Sequence, residues 1–332
     1  MSILINASAA KYGGAKAIVE KFVSQTDFGD DEVYLIGPKS ISFENINVKK
    51  INVETNGIYS LIFSTVFILY YVIKYGSRKL ISFNNLNLIF PVVERVTYFH
   101  MPHTFYKKTV KHKIYRFVIS KFLCRTRFVV QTNFVKDEFS RVFGFDHNVH
   151  VNWPGCQKPD YNGVSYPKLV KSNCNKLKCL VPIMDTKSVH KNFRFLEEKL
   201  ANISGLEFDI FVTSEGGPEL PSVNYIGVQE RSRLNEIYHE MDFMIFPSIF
   251  ETVGLPIFEF SSLGKPVLVL ERPYIEGIKT TVEFPSNIVL FDEADFFEKI
   301  KFVISNYESL CSDELSLEHS IVRSNWNALT TS

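Results

Sequence analysis

Two glutamates, Glu251 and Glu259, stand on either side of a Gly-Leu-Pro turn in the stretch FPSIFETVGLPIFEFSSLGKPVLVLE, residues 246–271. Taken singly, each has an ordinary explanation. An acid early in a helix complements the helix dipole, and Glu251 reads as a surface loop acid. Taken together they suit the binding of sugar hydroxyls, since each carboxylate accepts hydrogen bonds from hydroxyl donors with charge-assisted strength. Paired acid and base work of the glycoside-hydrolase kind fits less well, because the spacing puts one carboxylate in a loop and the other in the first turn of a helix.

The flanking pattern says which elements must hold them. The apolar runs DFMIFPS and PVLVLE read as strands, and between them Pro256 takes a favoured first helical position while Gly264 supplies the stop. In such a βαβ unit a ligand sits beyond the carboxyl ends of the strands, where free amides at the helix start attract anions. Gly254 and Leu255 therefore face a site suited to a phosphate or to sugar hydroxyls.

The same alternation fills the chain. SILINAS, EVYLIG, KLISFN, RVTYFH and RFVVQT read as strands in the first half, and KLKCLVPI, FDIFVTS and VNYIG in the second, with helical segments between them. With 332 residues this predicts two α/β, Rossmann-like domains. The Pro-, Gly- and Asn-rich stretch NWPGCQKPDYNGVSYPK reads as the linker. The expected division is 1–155, 156–315, and a helical C-terminal segment, 316–332, packing Trp326 back onto the first domain.

A formal charge of +1 excludes a general nucleic-acid binder held by phosphate neutralisation. The five cysteines are scattered, with no Cys-x-x-Cys pair, and read as reduced cytosolic thiols. The N-terminus enters an apolar strand directly, so a cytoplasmic protein is expected. IYSLIFSTVFILYYVIKYG, 58–76, is somewhat short for a bilayer span and carries Ser, Thr and Tyr, which predicts a buried or interfacial helix.

FPSIFETVGLPIFE resembles the Glu-x7-Glu signature of glycosyltransferase family 4, whose members are retaining nucleotide-sugar transferases of the GT-B fold. The resemblance extends over most of the chain and implies two Rossmann-like domains facing a central cleft. By it, Glu259 accepts hydrogen bonds from the donor ribose, Glu251 lies near the transferred sugar, and backbone amides from Val253, Gly254 and Leu255 hold sugar or phosphate oxygens. VPIMDTKSVHKN, 181–192, is similar to the segment whose arginine and lysine neutralise the donor diphosphate; Lys191 matches the lysine, and Lys187 stands where no arginine is present. Gly227 and Val228 match the backbone beside the base, and Gly13-Gly14 the glycine loop after the first strand. YFHMPHTFY resembles the family's histidine loop, which places His100 at the site with His103 as competitor.

The resemblance implies transfer of a hexose from a nucleotide-diphosphate sugar to a glycan. No Asp-x-Asp ends a strand, so no cofactor and no metal are expected. TFYKKTVKHKIYRFVISKFLCRTR, 104–127, concentrates cations around a stripe of Val110, Ile114, Phe117, Val118 and Phe122. It either buries that stripe against the first sheet or lies on an anionic membrane. The second reading fits a polyprenyl-diphosphate-linked acceptor in O-antigen or capsule synthesis, at the cytoplasmic face of the membrane. Two other functions share the architecture: a nucleotide-sugar epimerase or hydrolase, and a non-catalytic transferase-like binding subunit.

Overall fold

The computed structural model describes residues 2–146, 148–160, 176–201, 207–316 and 319–331. The later part of the linker stretch, from residue 161, and Cys174 lie outside the described residues. Cys124, Cys179 and Cys311 are free thiols. The chain forms two compact units, Met1–Pro154 with Ser324–Ser332, and Gly155–Arg323.

The first unit is built on a seven-stranded sheet of β1 (Ser2–Asn6), β2 (Glu32–Gly37), β3 (Val48–Asn52), β4 (Lys79–Ser82), β5 (Glu94–Tyr98), β6 (Arg127–Val130) and β7 (Val149–Val151), in the order β3-β2-β1-β4-β5-β6-β7. The second carries β8 (Leu177–Val181), β9 (Phe208–Val212), β10 (Val223–Tyr225), β11 (Phe243–Phe246), β12 (Val267–Leu270) and β13 (Ile288–Phe291), in the order β10-β9-β8-β11-β12-β13. Every pairing is parallel. Central strands such as β11 and β12 are buried on both faces, which is why they read as continuous apolar runs. The pattern missed β3, an edge strand that carries Lys49 and Lys50, and β7, which is only three residues long. It also passed over β13 and the helix Pro273–Lys279.

Direction of crossing sorts the helices of the first unit. The connections β3 to β4, β5 to β6 and β6 to β7 all run the same way along the sheet, so right-handed crossovers put their helices on one side. The connection β1 to β2 runs the other way and puts Gly13–Gln25 on the opposite side.

The helical stretch 57–74 packs Phe63, Ile68 and Val72 on Leu4, Ile36 and Leu80. It is interrupted by a π turn, Phe63–Phe67. The extra residue frees the Thr65 carbonyl, which accepts the Ile89 N–H at 3.1 Å.

The C-terminal segment is mostly not helical, contrary to the sequence expectation. Among its described residues only Asn327–Thr330 forms a turn of helix, and those before it run in turns and bends. Its contacts with the first sheet hold it instead. Trp326 stands edge-on to Phe22 at 5.4 Å and close to Tyr98, and the buried Lys79 ammonium donates to the carbonyls of Thr330 and Thr331 at 2.9 and 3.0 Å.

The helix after the Gly-Leu-Pro turn is Leu255–Ser261, so Glu259 is its fifth residue and lies beyond the first turn. The dipole explanation for that glutamate therefore fails. Past the helix, Gly264 adopts φ +74°, and a Cβ there would lie 2.0 Å from the Ser312 carbonyl oxygen. Both the left-handed backbone and the close approach require glycine. Gly264→Ala is expected to destabilise the second unit by about 2–4 kcal/mol, as a combined strain and overpacking cost, read as a lower denaturant midpoint at unchanged slope.

Candidate functional site

In the second sheet the order reverses between β8 and β11, and the loops leaving those two strands meet there. The β8 loop ends in a one-turn helix, Val189–Lys191, and then Asn192 in the left-handed region with φ 56°. Two hydrogen bonds tie it to the β11 loop. Asn192 Nδ2 donates to the Pro247 carbonyl at 3.2 Å, and the Ile249 N–H donates to the His190 carbonyl at 2.9 Å.

Lys191 and Glu251 are brought together at this junction, with Nζ 2.6 Å from Oε1. The ammonium also lies over the Phe246 ring, 5.5 Å from its centre. Beneath them Tyr274, from the unanticipated helix Pro273–Lys279, donates to the Ser248 carbonyl at 3.3 Å. Burial, and then the Glu251 charge, hold its phenol far above the usual range. Lys187 is exposed in the same β8 loop, where its N–H donates to Asp185 Oδ1 at 3.0 Å. The structure does not bring it to Glu251 as it does Lys191.

Glu259 is 2% exposed. Both of its oxygens are taken by Arg231, Nη2 to Oε1 at 2.7 Å and Nη1 to Oε2 at 2.8 Å, and the Tyr238 hydroxyl reaches Oε2 at 3.3 Å. This planar, two-pronged ion pair is the arrangement that arginine makes and lysine does not. Arg231 opens the helix Arg231–Glu240, directly after the loop that contains Gly227 and Val228. Gly227 has φ +76°, and the Val228 N–H donates to Glu215 Oε1 at 3.1 Å. Val253 is buried, and Gly254, at φ +69°, caps the start of Leu255–Ser261; Pro256 has no N–H and the Ile257 N–H donates to the Gly254 carbonyl at 2.9 Å, so the Leu255 amide heads the helix.

The first sheet reverses between β1 and β4, and a polar network marks the spot. Asn84 Nδ2 donates to Asn6 Oδ1, Ser8 Oγ and Ser64 Oγ at 3.2, 2.8 and 3.0 Å, all buried. Asn85, at φ 64°, accepts the His100 N–H at 2.6 Å. The His100 Nδ1 is enclosed without a partner. Burial pushes its pKa down to about 4, against a smaller opposing influence from the Tyr98 backbone, so the ring is neutral at neutral pH. His103 is half-buried at the start of the short helix His103–Tyr106. Gly13, at φ +63°, is exposed with open space where a Cβ would point, and Gly14 follows it in the helix Gly13–Gln25.

Sequence reasoning missed Arg231, Tyr238, Glu215, Tyr274, Asn6 and Asn84. An arginine after a strand-loop, within reach of a helix bearing a buried acid, was the one available signal. Among the described residues no group of three or more His, Cys, Asp or Glu side chains is placed to hold a metal. In FDEAD, Asp292 Oδ1 accepts the N–H groups of Ala294 and Asp295, closing the turn before Phe296–Ser305.

The basic helix Val110–Phe122 buries His112, Tyr115, Val118 and Ile119. Of the apolar stripe read from its sequence only Val118 is inside; Val110, Ile114, Phe117 and Phe122 are exposed.

Two parallel sheets of seven and six strands, each with its ligand-competent loops at a reversal of strand order, define the GT-B fold. Solved structures agree. The chain is similar to sucrose-phosphate synthase from Thermosynechococcus elongatus, with a TM-score of 0.70 at 12% identity over 99% of this chain and 96% of that one. It is similar to the catalytic domain of starch synthase IV from Arabidopsis thaliana bound to ADP and acarbose, at 0.66 and 11% over 99% and 97%. WaaG, a glycosyltransferase involved in lipopolysaccharide biosynthesis, matches at 0.62 and 13% over 93% and 90%. At these identities the likeness establishes the fold. No protein-family model matches the sequence, and no curated protein is similar enough to count as a match.

Proposed function

We propose that the protein is a retaining glycosyltransferase that moves a hexose from a nucleotide-diphosphate sugar to a glycan acceptor without a bound metal. The observation that carries this reading is the Lys191–Glu251 pair at the switch point of the second sheet, beside the amides that open Leu255–Ser261. Glu251 lies near the transferred sugar, where its charge stabilises a transition state of oxocarbenium character. Lys191 is shared between Glu251 and the diphosphate, with Lys187 and the backbone from Val253 to Leu255 as further donors to the leaving group. Glu259, oriented by Arg231, accepts the ribose hydroxyls through the lone-pair sites that Arg231 and Tyr238 leave open. The Gly227–Val228 backbone lies along the base. In the first unit, neutral His100 serves the acceptor hydroxyl, and the departing phosphate takes the acceptor proton. A fold shared with a glycosyltransferase involved in lipopolysaccharide biosynthesis and with a starch synthase bound to ADP supports a nucleotide-sugar donor and a role in surface-polysaccharide assembly.

A thermal-shift screen against UDP, GDP, dTDP, ADP and CMP, each with and without EDTA, tests this directly. One nucleotide is expected to stabilise the protein regardless of EDTA, by about 2.7 kcal/mol at a hundredfold excess over Kd. A shift that vanishes with EDTA removes metal independence. Silence with all five nucleotides favours the non-catalytic subunit.

A further inference from the structure

Residues 55–136 hold thirteen lysines and arginines against a single acid, Glu94, in a chain whose overall charge is +1. The same interval supplies most of the exposed large apolar side chains among the described residues. On the helical stretch 57–74 these are Ile58, Tyr59, Ile62, Val66, Phe67, Tyr70 and Ile73, with Ile58 72% and Ile73 71% exposed. Positions four apart drift by about 40° per step round an ideal helix. The π turn at Phe63–Phe67 adds the residue that takes up the drift, so the outer stripe stays aligned while Phe63, Ile68 and Val72 stay on the sheet. Contrary to the sequence reading, the stretch is by length and composition long and apolar enough for a membrane span, yet its inner face is part of the first unit's core, so it can only lie along a surface.

This stripe does not stand alone. By the direction of their crossovers, the stretch 57–74 and the helix Val110–Phe122 lie on the same side of the first sheet. Val93 joins them: it packs against the core under 57–74 and lines a cavity of about 610 Å³ together with Lys121, Phe122 and Arg125. Phe90 and Val92, both exposed, fill the surface between. One side of the unit thus presents an uncharged apolar ridge beside a ridge where Lys108, Lys111 and Lys113 alternate with exposed Val110, Ile114 and Phe117.

We propose that this side of the first unit docks on an anionic phospholipid bilayer, with the outer stripe of 57–74 inserted among the acyl chains and the Val110–Phe122 cations on the headgroups. A second copy of the chain is a poorer occupant, because a two-fold contact would set one cationic ridge near its own repeat. Tyrosine and phenylalanine along the stripe and a lysine, Lys74, at its end match what the interfacial zone selects. The proposal takes from the functional reading only that the basic helix faces a membrane, and its test is separable from it.

The full chain is sedimented with phosphatidylcholine vesicles with and without phosphatidylglycerol, at low and high salt. Binding is expected to need the anionic lipid and to persist in part at high salt. Ile58→Ser, Tyr70→Ser and Ile73→Ser combined should cut the high-salt partition at least tenfold, and Lys108→Glu with Lys111→Glu and Lys113→Glu should remove the low-salt advantage of anionic vesicles. The indole introduced by Phe67→Trp should be quenched by brominated lipids. Unchanged high-salt binding of the serine variant, an unquenched indole in the pelleted Phe67→Trp protein, or a dimer that the serine variant splits without any vesicle effect would each overturn the insertion. The nucleotide-induced thermal shift of the serine variant should equal that of the unmodified chain. A lost shift with intact vesicle binding counts against the transferase reading alone.

Discussion

Glu251→Gln is expected to lower sugar transfer by about two to three orders of magnitude while leaving nucleoside-diphosphate binding nearly intact. The substitution keeps the shape and leaves a carbonyl oxygen to accept the Lys191 hydrogen bond, now 2.6 Å long, so the β8 and β11 loops stay joined. What it removes is the negative charge, and that charge matters most when positive character develops on the sugar. A loss confined to the transition state lowers kcat and kcat/KM together, whereas a loss of uniform binding raises KM alone. Steady-state kinetics with the nucleotide sugar identified by thermal shift, alongside the Kd for the free diphosphate, separates the two. Full activity in the variant takes Glu251 out of the site. The outcome also bears on Lys191: relieved of its carboxylate partner, it should bind the diphosphate slightly more tightly.

Arg231→Ala carries the second large effect, and it acts on the fold and the site at once. Glu259 is buried, and its two oxygens face the guanidinium at 2.7 and 2.8 Å. Removing one partner of a buried ion pair costs about 3–5 kcal/mol, because a charge is left without compensation. Arg231 is itself partly exposed, with 38% of its side chain accessible. Water can enter the vacated space, so a loss of about 2–3 kcal/mol is expected, below that range. Chemical denaturation reads the loss, and pairing Arg231→Leu with Glu259→Gln should restore part of it, since replacing both charges removes the unpaired group. If Glu259 holds ribose, the single variant should also weaken nucleotide binding beyond what its stability predicts. An arginine variant as stable as the unmodified chain would falsify the view that this ion pair helps hold the second unit together.

The parts of the molecule legible in the sequence were those where one local pattern carries the information. DFMIFPS and PVLVLE are strands because two-sided burial demands unbroken apolar runs, and the glycines and Pro256 punctuate the helix between them. From that alternation the α/β class and two Rossmann-like domains followed, and the resemblance of the Glu-x7-Glu stretch added the GT-B fold. Partnerships across the chain were not legible. Arg231 and Glu259 are 28 residues apart, and Asn6 and Asn84 are 78 apart, so no periodicity links them. Placing Glu259 in a first helical turn erred by one residue, enough to change an ordinary dipole effect into a buried carboxylate that requires a partner. The C-terminal segment looked helical from its composition, but the carbonyls of Thr330 and Thr331 are used by Lys79, and tertiary contacts decided its path. Of the two fates left open for the stripe on Val110–Phe122, burial holds only for Val118, because residues near one helical face can divide between core and surface.

The return of residues 324–332 to the first unit sets an order on how the protein can be made. Ribosomal synthesis delivers Met1–Pro154 first, and then all of Gly155–Arg323, before Trp326 exists to close over Phe22 and Tyr98. At about 5–20 residues per second that interval lasts on the order of ten to thirty seconds. During it, the nascent first sheet shows water an open aromatic patch, and the buried Lys79 ammonium lacks its two carbonyl acceptors. Emergence of residues 324–332 is then the event that locks a unit whose sheet was translated before the second unit.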